Sequence, residues 1–322
     1  MKISLYGVRG SLPDNQTPND NILFLKDLLE QFKQSTDQNI DLFLRNYSKL
    51  MLGGLGTGTT SIYVEDENSG ENLIIDGGSG IRRLGLEMSK DSRFKRAPIN
   101  IFMTHFHWDH LIGLPFFTPL YQSEATINFY CVQGLCEEAL NTVFKKPFFP
   151  VPFKHLKSNI NFHQLKPRAV NKINGFNITP YQLQHPDPCW GYKIEKNGKV
   201  YSHCVDNEGQ MMSRRELGAD LPIYQGVDLC YYDAQYSVDE FFDRPNWGHS
   251  TAQIGLEIAM REGVKHMIFA HHDPASTPSQ IIKMATELDK FYLKKLRQSE
   301  EKKLGFSKVK WEYAQEGTVL KI

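Results

Sequence analysis

Apolar residues along this chain follow two distinct periods. Short runs rich in β-branched and aromatic residues recur at 61–64, 72–76, 98–103, 127–132, 176–181, 191–195, 200–204, 229–232 and 266–269. Runs of this length and composition predict strands, and Asn197-Gly198 between two of them predicts a tight hairpin. The opening residues 1–7 read as a further strand that leaves through the turn-rich Gly10-Ser11-Leu12-Pro13. Helical spacing takes over at 81–91, 135–144, 251–262 and 278–298, with Ser250 or Thr251 as the cap of the third. It also appears between the first two strands, where Ile22, Leu23, Leu25, Leu28, Leu29 and Phe32, and then Leu42, Phe43, Leu44, Tyr47, Leu50 and Met51, form two stripes. The pattern predicts one α/β domain over 1–322 with a helical pair inserted at 19–51. That pair is either an amphipathic hairpin packed on the body, a lid or a dimer contact. A helix is expected to start near Leu111, although Gly113 and Pro115 complicate it.

Composition narrows the function classes only modestly. The 322 residues carry 37 basic and 37 acidic side chains, so no global field recruits nucleic acid or an anionic membrane. No stretch approaches the ~18 apolar residues of a membrane span, and the first residues lack an apolar leader, so a cytoplasmic location is expected. Five cysteines (Cys131, Cys136, Cys189, Cys204 and Cys230) without a C-x-x-C pair read as reduced, mostly buried thiols. The glycine-rich stretches 53–58 and 77–80 lack the Gly-Lys-Ser/Thr of a phosphate loop, and read as tight turns that let backbone approach a cleft.

The chemistry concentrates in Thr104-His105-Phe106-His107-Trp108-Asp109-His110, directly after the apolar run 98–103. At a strand end His105 and His107 share a face, because strand side chains repeat every two residues. The turn that must follow brings Asp109 and His110 beside them. A lone loop histidine would carry little weight, but this mixed His/Asp set suits zinc, manganese or iron and is rich enough for two ions. Further candidates stand at later strand ends, where active sites of α/β proteins collect: His185, Asp206, and His271 with His272.

In this order the motifs resemble the metallo-β-lactamase superfamily, an αββα four-layer sandwich of two mixed β-sheets flanked by helices with the metal site on one edge. Within it, Tyr232-Asp233-Ala234-Gln235-Tyr236, Gly248-His249-Ser250-Thr251-Ala252, and His185-Pro186 followed by Gly191-Tyr192 resemble the phosphodiesterase branch that contains tRNase Z and cyclic-nucleotide phosphodiesterases. Asp233 stands where that branch more usually has Glu. The resemblance implies that His105, His107 and His185 hold one metal and that Asp109, His110 and His271 hold the other, with Asp206 bridging. His271 is preferred to His272 because it comes first after the strand, and His203 is read as structural. Two ions, zinc first with manganese or iron as alternatives, would bridge a water and lower its pKa toward ~7. His249 is the candidate general acid, oriented by Asp233, which with Asp109 completes the catalytic set.

The substrate implied is a small nucleotide-like phosphodiester, a cyclic nucleotide before RNA, since net charge is zero and the Gly/Pro-rich arm of tRNase Z is absent. Residues 145–172 form a basic stretch, with Phe148, Phe149 and Phe153 placed to stack a base or to anchor a solvated loop. Arg9, Arg82 and Trp108 are candidate rim residues. A tRNA 3′ endonuclease, and a lactone or β-lactam acyl hydrolase that uses the same metals without the His249/Asp233 pair, are the alternatives. A homodimer is expected from the resemblance, and the 19–51 insertion is a candidate for its contact.

Overall fold

The computed structural model describes the chain except residues 15–16, 37–38, 47–53 and 96. The first sheet has the order β14-β1-β2-β3-β4-β5-β6. Its strands are β1 (Lys2–Gly7), β2 (Ser61–Glu65), β3 (Asn72–Ile75), β4 (Ile99–Phe102), β5 (Thr126–Cys131) and β6 (Asn159–Gln164), closed by β14 (Val319–Lys321). The second sheet runs β13-β12-β11-β10-β9-β8-β7. It comprises β7 (Asn171–Ile173), β8 (Phe176–Leu183), β9 (Cys189–Lys196), β10 (Lys199–Cys204), β11 (Leu229–Asp233), β12 (His266–Ala270) and β13 (Lys310–Tyr313). Each sheet is antiparallel on one side and parallel on the other, with β3 to β6 and β10 to β13 the parallel sets.

The period of two along each strand sorts side chains between layers. Leu73 and Ile75, Leu229 and Tyr231, and Ile268 point into the space between the sheets, where they meet Ile62, Val64, Phe102, Ile178 and Tyr192 in one core. The alternate residues face outward under helices. Ile74, Ile99, Ile101 and Phe129 are covered by Ile81, Leu84 and Met88 of the helix Ile81–Met88. Cys230, Tyr232, Met267 and Phe269 are covered by Leu256, Ala259 and Met260 of the helix Ala252–Glu262, and by Leu288 of the helix Pro278–Lys302. Full burial of one such side chain is worth ~1.5–3 kcal/mol, so these three interfaces make the αββα sandwich the stable arrangement.

Several elements depart from expectation. The helix expected near Leu111 is a single turn, Trp108–Leu111, that already carries Asp109 and His110. Pro115, with no amide hydrogen, turns its continuation into the 3₁₀ segment Leu114–Phe116. The basic stretch 145–172 is not one loop: β6 and part of β7 lie within it, and Phe149 and Phe153 pack on the outer core beside Phe144. The four edge strands β6, β7, β13 and β14 were not expected from the sequence, because none of their residues is buried and the apolar signal is weak. Cys131 and Cys136 are joined in a disulfide, not reduced, because the turn after β5 returns the chain to a Cα separation of 6.1 Å; Cys189, Cys204 and Cys230 are buried and free.

Helices occupy Pro18–Gln34 and Ile40–Asn46, whereas Tyr47, Leu50, Met51 and Gly53 lie outside the described residues. The amides of Thr57 and Gly58 donate to the Glu316 carboxylate at 2.9 and 2.8 Å, so these two donors of the glycine loop are already taken. Among the described residues no helix is long and apolar enough to cross a membrane.

Candidate metal centre

The carboxyl ends of the parallel strands collect at one edge of the sandwich, where ligand sites of open α/β sheets form. As the chain leaves β4, the backbone N and the hydroxyl of Thr104 both donate to the Asp76 carboxylate at 2.8 Å, which fixes the exit from the strand. His105 is buried there, and His107 in extended conformation precedes the helical turn that brings back Asp109 and His110. His185 follows β8, Asp206 follows β10, Asp233 ends β11 and His271 follows β12. His271 takes φ +62° and Asp76 φ +61°, a left-handed backbone that costs a non-glycine residue of order 1–3 kcal/mol and collects at functional sites.

All seven residues expected to hold metal converge. One group, His105, His107, His185 and Asp206, and a second, Asp109, His110, Asp206 and His271, each have their ligand atoms within 4.8 Å of one another. Asp206 belongs to both. Its Oδ1 lies 3.2 Å from His110 Nε2 and 3.0 Å from His271 Nε2. Its Oδ2 lies 3.6 Å from His105 Nε2 and 3.9 Å from His185 Nε2. Asp109 Oδ2 sits 3.2 Å from both His110 Nε2 and His271 Nε2 and accepts from the Ser11 amide at 2.9 Å.

Each ring turns one nitrogen to the centre because the other is occupied outside it. His110 Nδ1 meets Asp76 at 2.8 Å, and His107 Nε2 meets Asp187 at 2.8 Å. His185 Nδ1 meets the Gly248 carbonyl at 3.1 Å, His271 Nδ1 meets Gln235 Oε1 at 3.0 Å, and His105 Nδ1 meets the Thr104 hydroxyl at 3.1 Å. Partners of this kind fix tautomer and orientation in metal sites. Inward, His105 Nε2, His110 Nε2 and Asp206 Oδ1 are buried without any hydrogen-bond partner. Unsatisfied buried polar atoms cost ~1–3 kcal/mol each, and divalent ions would satisfy all three. The donor set therefore fits divalent metal.

Of the orienting residues, sequence reasoning gave no role to Asp76, Thr104, Asp187 or Gln235. Asp76 did carry a signal, as a carboxylate directly after the apolar run Leu73-Ile74-Ile75. Two glycines are dictated by the rings: a Cβ on Gly10 would lie 2.3 Å from His271 Nδ1, and one on Gly248, at φ +84°, would lie 2.0 Å from His185 Nδ1.

The protonation pattern follows from burial and neighbours. Burial, reinforced by His110, holds His105 well below the ordinary histidine range, in the neutral form a ligand needs. Burial opposes charge on His110 as well, yet Asp109, Asp206 and Asp76 outweigh it and raise that ring well above 6.5. Asp206 is held low by His271, His110 and His105 in spite of its burial. His249 also joins the centre: its Nδ1 lies 3.0 Å from Asp233 Oδ2 and 3.9 Å from Asp206 Oδ2. Burial works against its charge, but Asp233 prevails and raises it to about 9.

Other expectations divide. His203 is wholly buried, stacked on Tyr231 and bonded to the Tyr201 hydroxyl, while His272 bonds the Ala314 carbonyl away from the cluster. Arg9 is not on the rim: at 1% exposure it staples Gly56, Asp273, Ser276 and Asp14 together. Arg82 is exposed on the helix Ile81–Met88, and Trp108, 59% exposed, does stand beside His107.

Two mixed sheets flanked by helices, with a buried His/Asp cluster at their carboxyl edge, define a metal-dependent hydrolase of the metallo-β-lactamase fold. The chain belongs to the beta-lactamase superfamily: the family model for its domain matches residues 71–272. Ribonuclease Z of Porphyromonas gingivalis is 22% identical over 247 residues, covering 62% of this chain and 78% of that protein. The fold is shared with zinc-bound PqqB from Methylobacterium extorquens, at TM-score 0.63, 13% identity and 100% coverage of both chains. It is shared too with a diphosphatase of the PhnP family, at TM-score 0.60, 17% identity and coverage of 100% of this chain and 97% of the other.

Proposed function

We propose that this chain is a dinuclear-metal phosphodiesterase that hydrolyses a small phosphodiester, a cyclic nucleotide by preference, with His249 as general acid. The observation that carries this reading is the His249–Asp233 pair, 3.0 Å apart and set against Asp206. In this reading His105, His107 and His185 would hold one ion and Asp109, His110 and His271 the other, with Asp206 shared. Zinc is the leading ion, and manganese or iron also suit a nitrogen and carboxylate set. When bound, the two ions supply an activated water and a clamp on the phosphoryl oxygens. Asp233 occupies Nδ1 of His249, which leaves Nε2 as the proton donor to the departing ester oxygen. Asp233 favours the protonated form of that ring, and His249, 7% exposed, delivers the proton with little competition from bulk water.

A second reading, RNA 3′ processing, is favoured by the ribonuclease Z relative and by the exposed Lys145, Lys146, Lys154, Lys157, Lys166 and Lys172 around β6. Metal-replete protein assayed on cyclic mononucleotides, bis(p-nitrophenyl) phosphate, precursor tRNA and a lactone separates the possibilities. Lactone cleavage without diester cleavage would sink the proposal, and cleavage of precursor tRNA alone would move it to the second reading. We also assign the helix Pro18–Gln34 to a homodimer contact, because Ile22, Leu23, Leu25 and Leu29 are 50–57% exposed on it. A monomeric scattering profile defeats that assignment.

A further inference from the structure

An exposed tryptophan on a loop tied down at both ends needs an explanation. Trp247 is 64% exposed and lies two residues before His249, a stretch of chain that spans at most ~7 Å. Both of its neighbours are pinned. The Asn246 amide donates to the buried Glu208 carboxylate at 2.7 Å, and Glu208 is two residues beyond the shared Asp206. The Gly248 carbonyl accepts from His185 Nδ1 at 3.1 Å. Asn246 at φ +63° and Gly248 at φ +84° both take the left-handed backbone, so the loop is bent to a set shape on each side of the indole.

The indole also ends a ladder that starts at the centre. The Tyr236 ring stands 5.7 Å from the His249 ring. The Arg244 guanidinium lies 4.9 Å from the Tyr236 centroid and 5.8 Å from that of Trp247, and is itself anchored to Asp273 at 3.3 Å. Tyr236 is buried, so the ladder is fixed at its inner end and open at its outer one. Cation–π contact holds the indole in place, and burying its open face on binding costs little side-chain entropy, since the ring is already held. What completes such a ladder is another flat π surface. A nucleotide with its phosphate at the metal centre carries one, a single sugar ring away.

We propose that Trp247 is the base-stacking platform of this enzyme and makes it select phosphodiesters that carry a nucleobase. The proposal rests on the phosphodiesterase reading above and deepens it. Trp247 is a specificity residue and touches no reacting atom.

Base–aromatic stacking of ~1–3 kcal/mol corresponds to ~5- to 150-fold in binding. Two measurements keep the proposal and the underlying function apart. In the first, adenosine 5′-monophosphate is titrated calorimetrically into metal-loaded wild type, Trp247→Ala and Trp247→Phe. Ala should weaken binding ~5- to 150-fold, and Phe, which keeps a ring, should recover most of it. In the second, KM is compared for a nucleoside 3′,5′-cyclic phosphate and for a ribose cyclic phosphate without a base. The penalty of Trp247→Ala should be larger on the nucleotide by the same factor. Metal content and melting temperature of the variants should match wild type. Unchanged binding of the monophosphate in Trp247→Ala, or an equal penalty on both diesters, overturns the platform. Absence of diester hydrolysis by wild type overturns the function instead, whatever the titration shows.

Discussion

Removing His249 separates a general acid from a structural histidine. In the metal-free protein Asp233 raises the ring to about 9 against its burial, which favours the donor form. Loss of a positioned acid costs ~10²- to 10⁴-fold in rate, equivalent to ~2.7–5.4 kcal/mol of barrier. His249→Ala should leave the centre standing, because Asp233 keeps other donors. Its Oδ1 accepts from the Gln235 and Ser250 amides at 3.1 and 3.2 Å, and its Oδ2 from the Asn207 amide at 3.2 Å. The assay is kcat on two diesters of unequal leaving group, with bound metal measured alongside. An alkyl or ribosyl oxygen needs the proton, so that substrate should lose the full factor. A p-nitrophenolate leaves unaided, so its loss should stay within about tenfold. Wild-type kcat should fall as pH rises through the pKa of His249, at or below about 9 because bound cations depress it further, and His249→Ala should lack that limb. Equal losses on both leaving groups, or loss of metal with the ring, would refute the acid.

Asp76→Asn should weaken metal binding ~10- to 100-fold in a chelator competition, because the carboxylate that aligns His110 at 2.8 Å is gone. Gly248→Ala should lower the melting temperature and the metal content together, since its Cβ would meet His185 Nδ1 at 2.0 Å from a left-handed backbone. The fully buried His203 and His272 are both lowered to about 3 by burial, so between pH ~3 and ~6.5 the unfolded chain binds more protons than the folded one. Their share of stability is complete above pH ~6.5 and is lost on acidification at ~1.4 kcal/mol per pH unit for each ring. Urea midpoints of the metal-free protein at pH 7 and 5.5 should fall accordingly, and Phe at either position should flatten the trend.

Most of the architecture was legible because the strands are buried and strongly periodic. Every apolar run read as a strand is one, whereas the edge strands β6, β7, β13 and β14, with no buried residue among them, were not legible. The disulfide between Cys131 and Cys136 was misread because no spacing rule marks a five-residue separation as paired. Phe149 and Phe153 looked like loop aromatics, but their rings belong to the outer core, a distinction that depends on the layer above β5 and β6.

The sequence by itself determined the donor types and their placement at strand ends. His-x-His-x-Asp-His is a local pattern, and local geometry follows from a strand and one helical turn. Only the tertiary structure decided what those donors face. Asp206 lies between the two groups because β10 sits inside the second sheet, and the rings of His110, His107, His185 and His271 are aimed inward by partners from elsewhere in the chain: Asp76, Asp187, Gly248 and Gln235. Such contacts leave no periodic trace, since they join residues whose separation along the chain is arbitrary. Trp247 is the clearest case. In sequence it is one tryptophan in a loop, and its meaning comes from Glu208 and His185, which hold its two neighbours against the centre.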